Sequence, residues 1–178
     1  MRNFLPDSLA VSAVFGAALA ACASGPTPPA DVPQSLHVPD TLTLAVALHA
    51  SGVQIYECQP GKADATQFQW TFRAPEAELT DDGGKPVGKH YAGPTWEDRD
   101  GSKVVAAVEA SAPSPDPDAI AWLLLGVKST SGDGVFANVK AIQRLQTAGG
   151  KAPKDGCTRE LAGRTARVPY TGIYYFYR

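Results

Sequence analysis

The segment from Gln67 to Arg73 sets the tightest limit on the fold. Phe68, Trp70 and Phe72 alternate there with Gln67, Gln69, Thr71 and Arg73. Only a backbone of period two puts three rings on a dry face and the polar residues on a wet one; a helix would scatter them around its circumference. The period recurs where Leu42, Leu44, Val46 and Leu48 alternate with Thr41, Thr43, Ala45, Ala47 and His49. Ser51-Gly52 then reads as a turn, and Val53–Cys58 as the return strand of a hairpin. Asp81-Asp82-Gly83-Gly84 and Asp100-Gly101 are turn signals, with a β-branched strand expected over Lys103–Ala110. The apolar run Ile120–Val127 has the length of a strand buried on both sides, and Ile173–Tyr177 is rich in strand formers. Phe136–Leu145 fits two descriptions, because Phe136, Val139, Ile142 and Leu145 also mark a helical stripe; Thr147-Ala148-Gly149-Gly150 ends it either way. The expectation is an all-β domain, a single antiparallel β-sandwich or small β-barrel.

Composition narrows the function classes. The chain has 178 residues, 44% hydrophobic and 19% charged, which suits one compact domain. With 16 Lys+Arg against 18 Asp+Glu there is no surplus positive charge to displace counterions from phosphates, so nucleic acid is not an expected partner.

The N-terminus reads as an address. Arg2 precedes an apolar stretch from Leu9 to Leu19, which Pro6, Asp7, Ser8 and Ser12 keep well below the roughly 20 residues of a membrane span. Leu19-Ala20-Ala21-Cys22 looks like the lipobox of bacterial lipoproteins, in which small residues enter the peptidase cleft and the cysteine thiol takes the lipid. Residues 1–21 are therefore expected to be a lipoprotein signal peptide and Cys22 the lipidated residue; the other reading is an ordinary signal cleaved near Ala20. Several acyl chains would tie the protein to a membrane, and Ala23 after the cysteine favours the outer membrane, facing the periplasm. Residues 22–39, with Pro26, Pro28, Pro29 and Pro33, read as an extended tether, and 40–178 as the domain.

Two cysteines then remain, Cys58 and Cys157. In an oxidising compartment a disulfide is the default. A metal or redox pair is the alternative, but no C-x-x-C occurs and no histidine lies near either cysteine in sequence.

Taken together, Gly52-Val53-Gln54-Ile55-Tyr56-Glu57-Cys58, Trp70 with Ala74-Pro75-Glu76-Ala77, and His90-Tyr91-Ala92-Gly93-Pro94-Thr95-Trp96-Glu97 with Asp100-Gly101-Ser102 form an ordered set of motifs. Trp122-Leu123-Leu124-Leu125, Ile142-Gln143-Arg144-Leu145, Gly149-Gly150, Val168-Pro169-Tyr170 and Tyr174-Tyr175-Phe176-Tyr177 continue it. The set resembles a secreted bacterial and fungal family known as domain of unknown function 3455, over roughly residues 40–178, with Ala121 standing where that pattern has proline. The resemblance implies a secreted domain without an established activity. No G-x-G-x-x-G follows a strand, so no dinucleotide and no other cofactor is expected. Tyr56-x-Cys58 after a lipobox is also similar to lipoprotein inhibitors of lysozyme.

Chemistry could reside in the His90–Glu97 stretch. His90 is a candidate base, Glu97, Asp98 or Asp100 its orienting carboxylate, and Ser102 a nucleophile; the bland alternative is a turn at Gly93-Pro94 with Tyr91 and Trp96 packed on the sheet. Counting Asp98, Asp100, Ser102 and Glu109 as a calcium loop fails at Lys103, where glycine is needed, so a hairpin turn is expected and no metal. Aromatic rings that could meet a ligand are Tyr91, Trp96, Tyr175 and Tyr177, because consecutive aromatics in a strand point to both faces. The resulting expectation is a non-catalytic binding or structural module of the cell envelope, contacting a glycan or an envelope protein. The alternatives are a hydrolase of cell-wall or other polysaccharide, and a lysozyme-inhibitor-like protein.

Overall fold

The computed structural model describes residues 26–178; the expected signal peptide, Cys22 and the first residues of the expected tether lie outside the described residues. Eight strands follow in chain order: β1 (Leu44–Pro60), β2 (Phe68–Thr80), β3 (Pro86–Tyr91), β4 (Thr95–Asp98), β5 (Lys103–Ala112), β6 (Trp122–Ser131), β7 (Ala141–Gly149) and β8 (Thr165–Tyr177). Each pairs antiparallel with its chain neighbours, and β8 returns to β1 to close a barrel. Inward residues alternate with outward ones, as the two-residue period requires. Leu48, Leu79, Trp96, Val104, Ile142, Tyr174 and Phe176 fill the interior.

β1 runs unbroken through Ser51-Gly52, where a turn was expected. Gly52 faces Ala77 on one side and Tyr170 on the other. A Cβ there would stand 2.1 Å from the Glu76 carbonyl oxygen, so this glycine permits close approach of two strands. In β2, Arg73 is an extra residue between the pairs Ile55–Ala74 and Tyr56–Phe72. That bulge shifts the alternation by one. As a result Ala77 and Leu79 continue the inward face of Phe68, Trp70 and Phe72, but beyond the reach of β3 that face lies at the open end: Phe72 is 48% exposed, and the Trp70 indole N–H donates to the Asp155 carbonyl at 3.0 Å.

Strand lengths make the wall uneven. β1 has 17 residues and β2 and β8 have 13 each, whereas β3 has 6 and β4 only 4. β3 covers β2 only from Ala77 to Thr80, and β4 covers β5 only from Lys103 to Val105. The upper halves of β2 and β5 therefore bound a window in the barrel wall. The tall part is stapled by the Cys58–Cys157 disulfide across 99 residues, which on a chain-entropy model stabilises the fold by about 4 to 5 kcal/mol.

The other end is plugged. Phe136 and Val139, on the loop between β6 and β7, are buried there, and Phe136 packs 4.7 Å from Phe176. The ambiguous Phe136–Leu145 stretch is thus a loop followed by strand β7, and β7 runs on to Gly149.

The proline-rich stretch is not an unpacked tether over its described part. A short 3-10 turn at Gln34–Leu36 seats Leu36 fully buried, and Val32, Val38 and Leu42 join it over Trp122, Leu145, Tyr175 and Tyr177 on the outer wall. Four apolar side chains interleaved with prolines suffice to cover a face that would otherwise be exposed.

Candidate functional site

Beside the window, behind Phe72 and Val108, the barrel holds a cavity of about 310 Å³, at the small end of the range for small-molecule sites, roughly 300 to 1,000 Å³. Its walls are mainly apolar, with Leu123 and Leu125 from β6, Trp96 from β4, Tyr174 from β8 and Pro94 from the β3–β4 turn. The rim is apolar as well. Val108 is 55% exposed and Phe72 48%, both unusual for barrel residues.

Polar groups are few and placed deep. Among the described residues, Gln54 Nε2, Trp96 Nε1, Trp122 Nε1 and the Tyr170 and Tyr174 hydroxyls are buried without a hydrogen-bond partner; Gln54, Trp96 and Tyr174 line the cavity, whereas Trp122 lies on the outer wall beneath Leu36. A buried donor left unmatched costs about 1 to 3 kcal/mol. Burial, and then the neighbouring Tyr174, push the Tyr170 hydroxyl far above the ordinary tyrosine pKa. Arg144 lies opposite Leu123 on β6 and Tyr174 on β8, on the same face of β7 as Ile142, so its side chain enters the barrel. Its Nη2 and Nε donate to the Ala121 carbonyl at 2.9 and 3.3 Å. No ion pair among the described residues includes it, and no acidic residue lines the cavity.

His90 also faces the interior, stacked on Trp96 with 4.3 Å between ring centroids. Its Nδ1 pairs with the Thr95 carbonyl at 2.9 Å; since a carbonyl only accepts, Nδ1 carries the proton. Desolvation lowers the imidazole pKa to about 3, against the Thr95 hydrogen bond and helped by the Arg144 charge. A ring so reluctant to take a proton is a poor general base.

The other candidate catalytic residues are not assembled around it. Ser102 sits at the opposite end of β4, fully buried, its hydroxyl accepting from the Phe136 N–H at 3.2 Å. Asp100 accepts from the Ser102 and Val135 N–H groups, both at 2.7 Å. The Ser102 side chain first, and then those backbone bonds, hold its carboxyl below the usual range. Asp98 caps the same turn by accepting from the Asp100 N–H, so Asp98–Ser102 is the β4–β5 hairpin turn. Glu97 lies on the outer wall, accepting from the Tyr91 hydroxyl at 2.8 Å and flanked by Lys89 and Lys103. Tyr91 first, then the lysines, depress the pKa of Glu97, and that same bond raises the pKa of Tyr91.

Of the four aromatic residues expected at a ligand, Trp96 alone lines the cavity. Tyr91 is on the outer wall, and Tyr175 and Tyr177 are buried beneath the Leu36 segment; strand alternation turned their neighbours Tyr174 and Phe176 inward instead. Arg144, Gln54, Phe72 and Val108 also line the cavity, and no local sequence signal marks them as a site. Arg144 falls off the helical stripe Phe136–Val139–Ile142–Leu145, yet on a strand it shares a face with Ile142, so the unresolved period hid it.

The model of a family described as Protein of unknown function (DUF3455) matches residues 39–178, a span that begins just before β1 and takes in the whole barrel. No curated protein and no solved structure matches the chain.

Proposed function

The chain belongs to the DUF3455 family, and for this member we propose a non-catalytic binding module, exported and lipid-anchored in the cell envelope through Cys22, whose barrel takes in a small, mainly apolar molecule beside the β2–β5 window. The observation that carries this reading is the cavity of about 310 Å³ behind an exposed Phe72–Val108 rim, with buried donors that nothing in the described chain satisfies. Eight strands leave room for side chains or for one small ligand, and the short β3 and β4 leave an entrance. Support for the address comes from the signal-like N-terminus and its lipobox. A polysaccharide hydrolase would need two carboxylates facing each other across a groove, and the acidic candidates here belong to the outer wall and a turn.

Tryptophan fluorescence and calorimetry with a neutral amphiphile such as 1-decanol provide the test, because Trp96 forms part of the wall. Binding that disappears in Val108→Trp, a rim change in a protein that melts normally, is the expected result. Failure of the native protein to bind any small apolar compound would overturn the reading. For the anchor, Cys22→Ala is expected to release the protein from membranes, and its retention there would reject lipidation.

A further inference from the structure

We propose that the barrel's ligand is a monocarboxylate with an apolar body, its carboxylate received by Arg144; this rests on the cavity reading above. Arg144 is part-buried at the cavity wall, and a guanidinium drawn into apolar surroundings is favoured by a matching negative charge. Arg144 has one neutral partner, the Ala121 carbonyl, which occupies Nε and one Nη2 hydrogen. Three of its five N–H groups are left to serve an anion.

The surroundings fit an anion and not a cation. Gln54 Nε2 and Trp96 Nε1 can only donate and the Tyr174 hydroxyl can donate; none has a partner at hydrogen-bond geometry, and the Tyr170 hydroxyl neighbouring Gln54 and Tyr174 is itself unpaired. The number of charges favours one negative charge over two. Arg73, the other arginine at the cavity, is paired with Glu57 at 3.0 Å, and Lys151, on the adjoining recess, is bonded to the Pro117 carbonyl. A single uncommitted guanidinium suits a carboxylate, which it can grip bidentately, better than a phosphate dianion. Leu123, Leu125, Trp96 and the Phe72–Val108 rim then hold the apolar body.

The test compares sodium decanoate with 1-decanol, which share a chain and differ in the head group, on the full protein and on Arg144→Gln. Decanoate is expected to bind the native protein about tenfold or more tightly than decanol, the factor for a hydrogen bond to a charged group. In Arg144→Gln that preference should vanish while decanol affinity stays within a few-fold. Decanol binding as well as decanoate in the native protein would overturn the carboxylate assignment and leave the cavity reading standing, as would a preference that survives in Arg144→Gln. Binding of neither compound defeats the cavity reading itself. The comparison within the native protein decides the matter even if the variant does not fold.

Discussion

β7 and β8 carry two polar and aromatic faces built from adjacent residues, and the two are finished differently. On the outer face, the Gln143 amide donates to the Leu36 carbonyl at 2.6 Å and its oxygen accepts from the Tyr177 hydroxyl at 2.6 Å. There, too, the Tyr175 hydroxyl reaches Gln146 Oε1 and the Thr27 carbonyl. On the inner face, one residue along each strand, Arg144 has only a carbonyl and Tyr174 has no hydrogen-bond partner among the described residues. On the outer face the β7 and β8 polar groups are paired and a piece of this chain covers them, with only the Trp122 indole N–H beneath that segment left without a partner among the described residues. The inner face has the Trp96, Gln54 and Tyr174 donors in place without a partner from the chain, the condition expected of a surface made to meet something else.

The largest effect should come from uncovering the outer face. Leu36→Ala is expected to cost about 2 to 4 kcal/mol in urea unfolding, the usual range for a buried leucine. A loss below about 0.5 kcal/mol would mean that the segment merely rests on the barrel.

Next in size is the acid response of the inner face. The folded His90 refuses a proton down to a pKa of about 3, while the unfolded chain accepts one near 6.5. The unfolded state therefore binds more protons between those values, and stability falls as pH drops, at up to about 1.4 kcal/mol per pH unit. Full stability is present above about pH 6.5. His90→Gln should flatten the unfolding curve between about pH 6.5 and 4.5. Only below that window should the depressed carboxyls of Glu97 and Asp100 add their own loss on protonation. An unchanged slope in His90→Gln would place the acid response elsewhere.

The smallest effect makes the sharpest contrast. Tyr177→Phe removes a made hydrogen bond and strands Gln143 Oε1, so it should cost about 1 kcal/mol. Tyr174→Phe removes a hydroxyl that has no partner, so it should be neutral or slightly stabilising. With a bound carboxylate amphiphile the second change should become costly as well. If both changes cost the same without ligand, the two faces are equally satisfied and the distinction between them fails.

Much of the fold was legible in the residues because alternation is a local property. The Phe68–Trp70–Phe72 run and the strand-forming C-terminus dictate pleated backbone before any tertiary contact is made. The hairpin at Asp98–Ser102 was likewise legible, since aspartate and glycine carry their turn chemistry with them. Two faults came from local ambiguity. Ser51-Gly52 has the composition of a turn but serves a close approach of strands, and the Phe68–Trp70–Phe72 face, though inward, lies at the mouth where β3 does not reach.

The candidate site was far less legible. Trp96 was singled out, but Arg144 was hidden by an ambiguous period, and nothing local marks Gln54 or Val108 as neighbours. A cavity belongs to no segment; it arises where all eight strands converge. The pleated strands, the turns and the two cysteines available to each other follow from side-chain type and near neighbours alone. Only the tertiary structure decided that the sheet closes, that the proline-rich segment covers one aromatic face, and that an arginine points inward, because closure and burial depend on residues brought together from across the whole chain.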